Sequence, residues 1–108
     1  MPLSRSFKDT VKARAERDPE FRAALLGEAV EAFAAGDADS GKARIRDYIK
    51  ATVGFDQLSE AVGMDPKNLM RMFGPRGNPR LANLSAVLQE LNRREAVHFR
   101  VEPERLAG

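Results

Sequence analysis

The feature that most constrains the fold is the spacing of apolar residues, which recur every three or four positions over almost the whole chain. That period matches one face of an α-helix. Glycine and proline cut the pattern into segments: the residues after three of the periodic runs are Gly36, Gly54 and Gly63. Two runs begin with an Asp-Pro pair, at Pro19 and Pro66. Both residues mark helix boundaries. The pattern predicts an all-α fold of five to six helices.

The candidate core is the set of apolar stripes on these predicted helices. The stripes consist of Phe7, Val11 and Ala15; Phe21, Leu25, Ala29, Ala32 and Phe33; Ile45, Tyr48, Ile49, Thr52 and Val53; Leu58, Ala61 and Val62; Leu69, Met72 and Phe73; and Leu81, Leu84, Val87, Leu88 and Leu91. Before the last helix, the segment from Gly74 to Arg80 is predicted to be a loop, because glycine and proline recur in it too often for a helix.

After Arg94 the apolar period changes from helical to alternating. Val97, Phe99 and Val101 alternate with polar residues, which is the pattern of a short β-strand. A single strand leaves its backbone edge groups unpaired. Two arrangements are therefore open for this C-terminal segment: pairing with its copy in a second subunit, or covering an exposed part of the helical core.

Composition indicates a globular protein with an ordinary core. The 108 residues are 43% hydrophobic and 31% charged, and they include no cysteine, which excludes disulfides and thiolate chemistry. We expect one domain over residues 1–108, with N-terminal helices over 1–54, a central unit over 55–92 and a tail over 93–108. The chain contains no apolar run of signal-peptide or membrane-spanning length, so we expect a cytoplasmic protein without membrane contact.

The residues do not indicate an enzyme. There is no nucleophile with a neighbouring base and no pair of acids in a shared pocket, and "GPRGNP" lacks the lysine and hydroxyl of a nucleotide-binding loop. His98 is the only histidine, and without cysteine or a carboxylate cluster nearby it makes a poor metal site. We therefore expect no catalytic site, no cofactor and no metal.

The stretch "FDQLSEAVGMDPKNLMRMFG", residues 55–74, has the parts of a helix-turn-helix. Leu58 and Val62 would anchor the first helix, and Gly63 would allow a sharp reversal. Asp65 would then cap the second helix at its exposed amides. A short turn containing glycine is typical of DNA-binding helix pairs, whose second helix enters the major groove. The alternative is two ordinary helices joined by a tight turn.

The second helix of this pair sorts into an apolar and a polar side. At about 100° per residue, Lys67 and Arg71 point away from the apolar stripe, and Asn68 and Met70 lie on its flanks. Arginine and lysine suit guanine, asparagine suits adenine, and a thioether can contact the thymine methyl. Lys67, Asn68 and Arg71 are therefore the predicted base readers, and Met70 is open between base contact and core edge.

A local excess of positive charge follows the same helix. Lys67, Arg71, Arg76 and Arg80 fall within fourteen residues that contain no acid. Such a cluster attracts a phosphate backbone, although a solvated basic face is the alternative. We predict phosphate contacts from Arg76 and Arg80, from free backbone amides of the glycine-rich loop, and from Asn83 at the start of the last helix.

These residues carry a resemblance to a known family. "LSEAVGMDPKNLMRMFGPRGNPRLANLSAVLQEL", residues 58–91, resembles the lambda-repressor/Cro-like helix-turn-helix domain over about a third of the chain. The matching elements are the leucine-rich closing helix, Ser59, Gly63, Leu69 and Pro79. More narrowly, "ATVGFDQLSEAVG" joined to "GNPRLANL", after a helical preamble, resembles the probable addiction-module antidote (HigA-like antitoxin) proteins, which are usually partnered with a RelE/ParE-fold toxin.

The resemblance implies a homodimer that binds its own double-stranded DNA operator, represses its own operon and neutralises a toxin by direct contact. One position departs from the family: Phe55 stands where many members have a phosphate-contacting glutamine, so we expect Phe55 in the core or an interface. Two alternatives stay open. The chain could be a toxin-neutralising interaction module with weak or no DNA binding, or a phage-type repressor without a toxin.

Overall fold

The computed structural model describes residues 3–107, without the side chains of residues 3–6 and 8. Residues 1, 2 and 108 of the predicted domain lie outside the described residues. The elements are six helices: α1 (Leu3–Arg17), α2 (Pro19–Ala34), α3 (Ala38–Ala51), α4 (Phe55–Val62), α5 (Pro66–Met72) and α6 (Leu81–Glu95). The prediction of an all-α fold is confirmed. No helix within residues 3–107 is both long and apolar enough to cross a membrane.

Local chemistry explains most helix boundaries. The Asp18 side chain accepts a hydrogen bond from the Phe21 amide at 3.1 Å, and this bond, before other causes, lowers the pKa of Asp18. Gly63 ends α4 in the left-handed conformation, with φ of 71°. Asp65 occupies the N-cap position of α5 as predicted, but the expected hydrogen bond from its side chain to the first amides of α5 is absent. Asp65 is exposed, so water can satisfy both its carboxylate and the first amides of that helix.

A single apolar cluster joins the N-terminal helices to the central unit. Its fully or nearly fully buried members come from five helices and the end of α5: Leu26, Ala29, Ile45, Tyr48, Ile49, Phe55, Leu58, Leu69, Phe73, Val87 and Leu91. Phe55 therefore lies in the core, one of the two locations expected for it from the sequence. Close packing of α2 against α3 depends on Gly41, where an added Cβ would lie 2.6 Å from the Phe33 ring. The core therefore forms one unit across residues 26–91.

Three residues of the predicted stripes are exposed to solvent. Phe7 is 66% exposed and Leu81 is 79% exposed, and Ala61 is also exposed. Phe7 belongs to α1, whose buried residue is Ala15, two turns further along the helix. Leu81 is the first residue of α6, and the core contacts of that helix begin at Leu84. For Phe7 and Leu81, helical spacing predicted the side but not where along the helix packing begins, whereas Ala61, late in α4, is exposed next to the half-buried Val62.

The strand predicted after Arg94 is wrong: residues 97–107 form no strand, and none occurs elsewhere in the described chain. Ala96 adopts a left-handed conformation with φ of 57°, which turns the chain out of α6. Val97 and Phe99 are then half-buried between exposed neighbours, and Phe99 packs against the core near Gly27. At Val97 and Phe99 the alternation reflects a one-sided contact with the helices, whereas Val101 is 79% exposed. Of the two arrangements predicted for this segment, the structure shows the cover over the core.

Candidate nucleic-acid interface

The turn between α4 and α5 is held by backbone bonds and by one buried hydroxyl. The amides of Gly63 and Met64 both donate to the Ser59 carbonyl, at 2.9 and 3.2 Å. The Ser59 hydroxyl donates to the Met64 carbonyl in return. Ser59 is buried, so this exchange is shielded from water and fixes the three-residue turn. The direction in which α5 leaves the core is thereby set.

Helix α5 has a buried side and an exposed side. Leu69 and the following Phe73 are fully buried, and Met72 is half-buried against the same core. The exposed side chains comprise all four candidate base-contacting residues, namely Lys67, Asn68, Met70 and Arg71. Met70, which the spacing left open, is 44% exposed. With the exposed Arg76 and Arg80 and the half-buried Asn83, these residues form what we call the basic surface.

The cations of the basic surface lack the acidic partners that six other basic residues of the chain have. Within residues 3–107, none of its four cations forms an ion pair with a described carboxylate. By contrast, ion pairs engage Arg14, Arg22, Lys42, Arg44, Arg93 and Arg94. The nearest side-chain partner of Arg71 is neutral, the Asn68 Oδ1 atom at 3.4 Å. Four cations without an acidic partner therefore lie within fourteen residues that contain no acid, and this local excess of positive charge attracts an anion.

The start of α6 adds a further positive contribution to the basic surface. Arg80 occupies the N-cap position, its side chain makes no capping bond, and the first turn of α6 contains no acid. The first amides of a helix lack intrahelical acceptors and carry partial positive charge. Asn83 lies within this turn. An oxyanion, such as a phosphate, is the group that satisfies these donors best.

The loop between α5 and α6 packs tightly against the C-terminal end of α5. The Gly74 amide donates to the Arg71 carbonyl at 3.1 Å, and the Gly77 amide donates to the Gly74 carbonyl at 2.9 Å. The amides of the two glycines are therefore not among the free amides predicted for this loop, because compaction of the loop uses them internally. The loop amides without a described partner belong instead to Arg76, Asn78 and Arg80.

Two cations of α3 donate hydrogen bonds to backbone carbonyl oxygens in this loop and just before it. Lys42 Nζ lies 2.7 Å from the Gly77 carbonyl and 3.5 Å from the Pro75 carbonyl. Arg46 Nη1 donates to the Phe73 carbonyl at 2.9 Å, beyond the end of α5. Sequence analysis missed both residues. The signal that could have found Lys42 is its direction on α3, only about 20° from that of the buried Ile49.

A second polar cluster lies inside the fold, away from the basic surface. Arg22 Nε donates to both carboxylate oxygens of Glu95, at 3.1 and 3.0 Å, and the Tyr48 hydroxyl donates to the same carboxylate. Arg22 Nη1 also donates to the Ala15 carbonyl at 2.7 Å. Burial, and after it Glu95, raises the pKa of Tyr48, so the hydroxyl stays a donor at neutral pH. The cluster joins α1, α2, α3 and α6, and its groups satisfy one another.

Other chemistry is not visible in the described part of the chain. Its histidine, aspartate and glutamate side chains form no group of three that could hold a metal ion. His98 is exposed on the C-terminal segment.

Comparison with known proteins gives no relative: no family model, curated protein or solved structure matches the chain. The likeness of residues 58–91 to the lambda-repressor/Cro-like domain therefore stays a prediction from the sequence. The geometry and charge of the basic surface are the main physical grounds for inferring a function.

Proposed function

We propose that the protein is a cytoplasmic, non-enzymatic DNA-binding repressor that acts as a homodimer, and that it is the autorepressing antitoxin of a type II toxin–antitoxin pair. One observation carries the DNA-binding part. Four exposed cations without acidic partners project from α5 and the loop after it, while the underside of α5 is anchored in the core. The antitoxin part, with a RelE/ParE-fold toxin as partner, is proposed from the sequence resemblance.

Helix α5 would act as the recognition helix in the major groove. Lys67 and Arg71 would donate to guanine, Asn68 would bond adenine, and Met70 would contact a thymine methyl. The seven residues of α5 span about 10 Å, which is roughly three base-pair steps. So short a helix reads too few bases to select one operator. A homodimer placing two such helices about 34 Å apart on a pseudo-palindromic site removes this shortage.

The remaining residues of the basic surface would fix the position of the protein on the duplex. Arg76, Arg80 and Asn83 would contact phosphates, together with the first amides of α6. Phosphate contacts carry no sequence information, but each neutralised phosphate releases counterions and steepens the dependence of affinity on salt. Base-reading and phosphate-binding residues therefore have different experimental signatures.

Arg71→Ala is expected to relax specificity at one base pair of each half-site. Loss of one bidentate contact removes about 1–3 kcal/mol of discrimination at that position. The measurement is fluorescence anisotropy with DNA from immediately upstream of the protein's own reading frame, compared with a panel of single base-pair substitutions. If the variant kept the full preference at every position, Arg71 would not be a base reader.

Arg76→Ala is expected to weaken binding to every sequence alike and to reduce the slope of log affinity against log salt by about 1 for each protomer. The reason is the loss of one phosphate contact without loss of a base contact. A salt titration of the same complex from about 50 to 200 mM measures this slope. An unchanged slope would contradict the phosphate assignment.

Arg93→Ala is the matched control for both variants. Arg93 is exposed like Arg71, but it pairs with Glu90 near the far end of α6, about 20 Å along the helix from Arg80. Arg93→Ala removes the same formal charge as the other two variants. An equal loss of DNA affinity in all three would therefore indicate general charge attraction. The toxin-neutralising interaction module would be favoured by a different result. In that case the wild-type protein would not change the anisotropy of the upstream DNA, but a coexpressed neighbouring gene product would copurify with it.

A further inference from the structure

Lys42 is a cation enclosed by the fold. Its residue is 7% exposed, and its ammonium contacts the carbonyls of Gly77 and Pro75, with the exposed Asp39 carboxylate 3.4 Å away. A buried charge is costly unless it is paired or fully hydrogen-bonded. The loop carbonyls are therefore the main compensation for burying this ammonium, and the ammonium in turn keeps them pointing toward α3.

The orientation of a carbonyl determines the orientation of the next amide. In a planar trans peptide, the C=O of one residue and the N–H of the next point in opposite directions. Because Lys42 draws the Pro75 and Gly77 carbonyls toward α3, the N–H groups of Arg76 and Asn78 point away from it. Neither amide has a hydrogen-bond partner among residues 3–107. Two backbone donors thus lie on the same side of the loop, a geometry suited to an oxyanion.

Arg46 stabilises the same arrangement one turn further along α3. Its guanidinium donates to the Phe73 carbonyl, the residue that ends α5. A cation at this position satisfies a carbonyl that has no intrahelical partner. Helix α3 therefore contacts the chain just before the loop and within it, with Arg46 at the Phe73 carbonyl and Lys42 at the carbonyls of Pro75 and Gly77.

We propose that Lys42 is a positioning residue for DNA binding: without touching DNA, it turns the peptide groups 75–76 and 77–78 so that the amides of Arg76 and Asn78 bind a backbone phosphate. This inference rests on the proposed function. To the proposed DNA-binding surface it adds the amides of Arg76 and Asn78 as phosphate donors. It also gives a role in DNA binding to Lys42, which lies on α3, outside the recognition helix.

The test is Lys42→Met, which keeps an unbranched side chain only one atom shorter and removes its donor. Affinity for the upstream DNA is expected to fall about tenfold, the effect of losing a hydrogen bond to a charged group. The fall should be the same for every base-substituted fragment, because phosphate contacts do not read sequence. Amide hydrogen exchange measured by NMR gives the direct readout. DNA should slow exchange at the amides of Arg76 and Asn78 in the wild type, but not in Lys42→Met even when that variant is saturated with DNA.

Two further variants keep the test decisive. Arg44→Met removes a cation from the same helix that pairs with Glu28 at 3.0 Å on the surface, and it should leave affinity and amide protection unchanged. Lys42→Arg retains a cationic donor and should preserve the protection, which provides a readout if Lys42→Met fails to fold in a thermal melt.

The outcomes separate this inference from the function on which it rests. If the wild type binds the DNA and Lys42→Met either binds equally well or keeps the two amides protected, the positioning role is overturned and the repressor proposal stands. If the wild type binds none of the upstream DNA, the repressor proposal is overturned and the role of Lys42 falls with it.

Discussion

Gly77→Ala is expected to lower the free energy of unfolding by about 3 kcal/mol, the upper end of the usual cost of overpacking. An alanine Cβ at this position would lie 2.6 Å from the carbonyl carbon of Met72, and closer still to the carbonyl oxygens of Arg71 and Met72. These are backbone atoms at the end of α5, so they cannot rotate aside as a side chain could. The loop would have to lift away from the helix. Chemical denaturation followed by circular dichroism measures the loss.

Gly74→Ala is the matched control for this variant. A Cβ at Gly74 would lie 3.4 Å from the Arg71 carbonyl oxygen and 3.7 Å from that of Met70, which are tolerable contacts. Both substitutions restrict the unfolded chain in the same way, so their difference isolates the steric effect. We expect Gly74→Ala to change stability by less than about 1 kcal/mol. Equal stability of the two variants would contradict the close approach of the loop to α5.

The lifted loop of Gly77→Ala should also weaken DNA binding, since Arg76 and its neighbouring amides would move with it. The measurement is the same anisotropy titration, carried out below the melting temperature of the variant. Gly74→Ala should retain wild-type affinity. If Gly77→Ala were destabilised but bound DNA normally, the loop would not contribute to the interface.

Glu95→Ala is expected to lower the free energy of unfolding by about 3 kcal/mol, in the range seen when one partner of a buried ion pair is removed. The Glu95 side chain is only 6% exposed and accepts hydrogen bonds from Arg22 and Tyr48. Its removal leaves a half-buried guanidinium without a counter-charge and a buried hydroxyl without an acceptor. A denaturant unfolding curve measures the effect, and affinity for DNA should change little while the variant is folded.

Glu28→Ala is the control for Glu95→Ala. Glu28 pairs with Arg44 at 3.0 Å, but both side chains are about half exposed, and surface pairs contribute little. We expect a change below about 1 kcal/mol. If both variants lost the same stability, the cluster around Glu95 would be no more important than an ordinary surface pair.

Much of the helical architecture could be predicted because its determinants are local. The cap at Asp18, the proline after it and the positive φ of Gly63 act within a few residues of the boundaries that they set. The two sides of α5 also follow from helical geometry, which is why Leu69 is buried and Arg71 exposed. The exposure of the basic surface was therefore within reach of the sequence alone.

The contacts that shape the loop could not be predicted, because they join residues far apart in the chain. Lys42 and Gly77 are separated by 35 positions, and nothing in the local sequence of either indicates the other. The same applies to Glu95, whose partner Arg22 lies 73 positions earlier. The strand prediction for the C-terminal segment failed for a related reason. Alternation predicts that one side of a segment is buried, but it does not say whether that side packs in a sheet or, as for Phe99, against helices.

The hold of α3 on the loop has a consequence for how far the protein can be dissected. A fragment beginning at residue 55 would retain α4, α5 and α6 but would lack Lys42 and Arg46, and with them the groups that orient the loop's peptide planes. It would also lose Leu26, Ile45 and Ile49 from the shared core. For this reason we do not expect the proposed DNA-binding region to fold correctly when it is fused to another protein without α3. The fusion would need other groups to orient the loop and to complete the core.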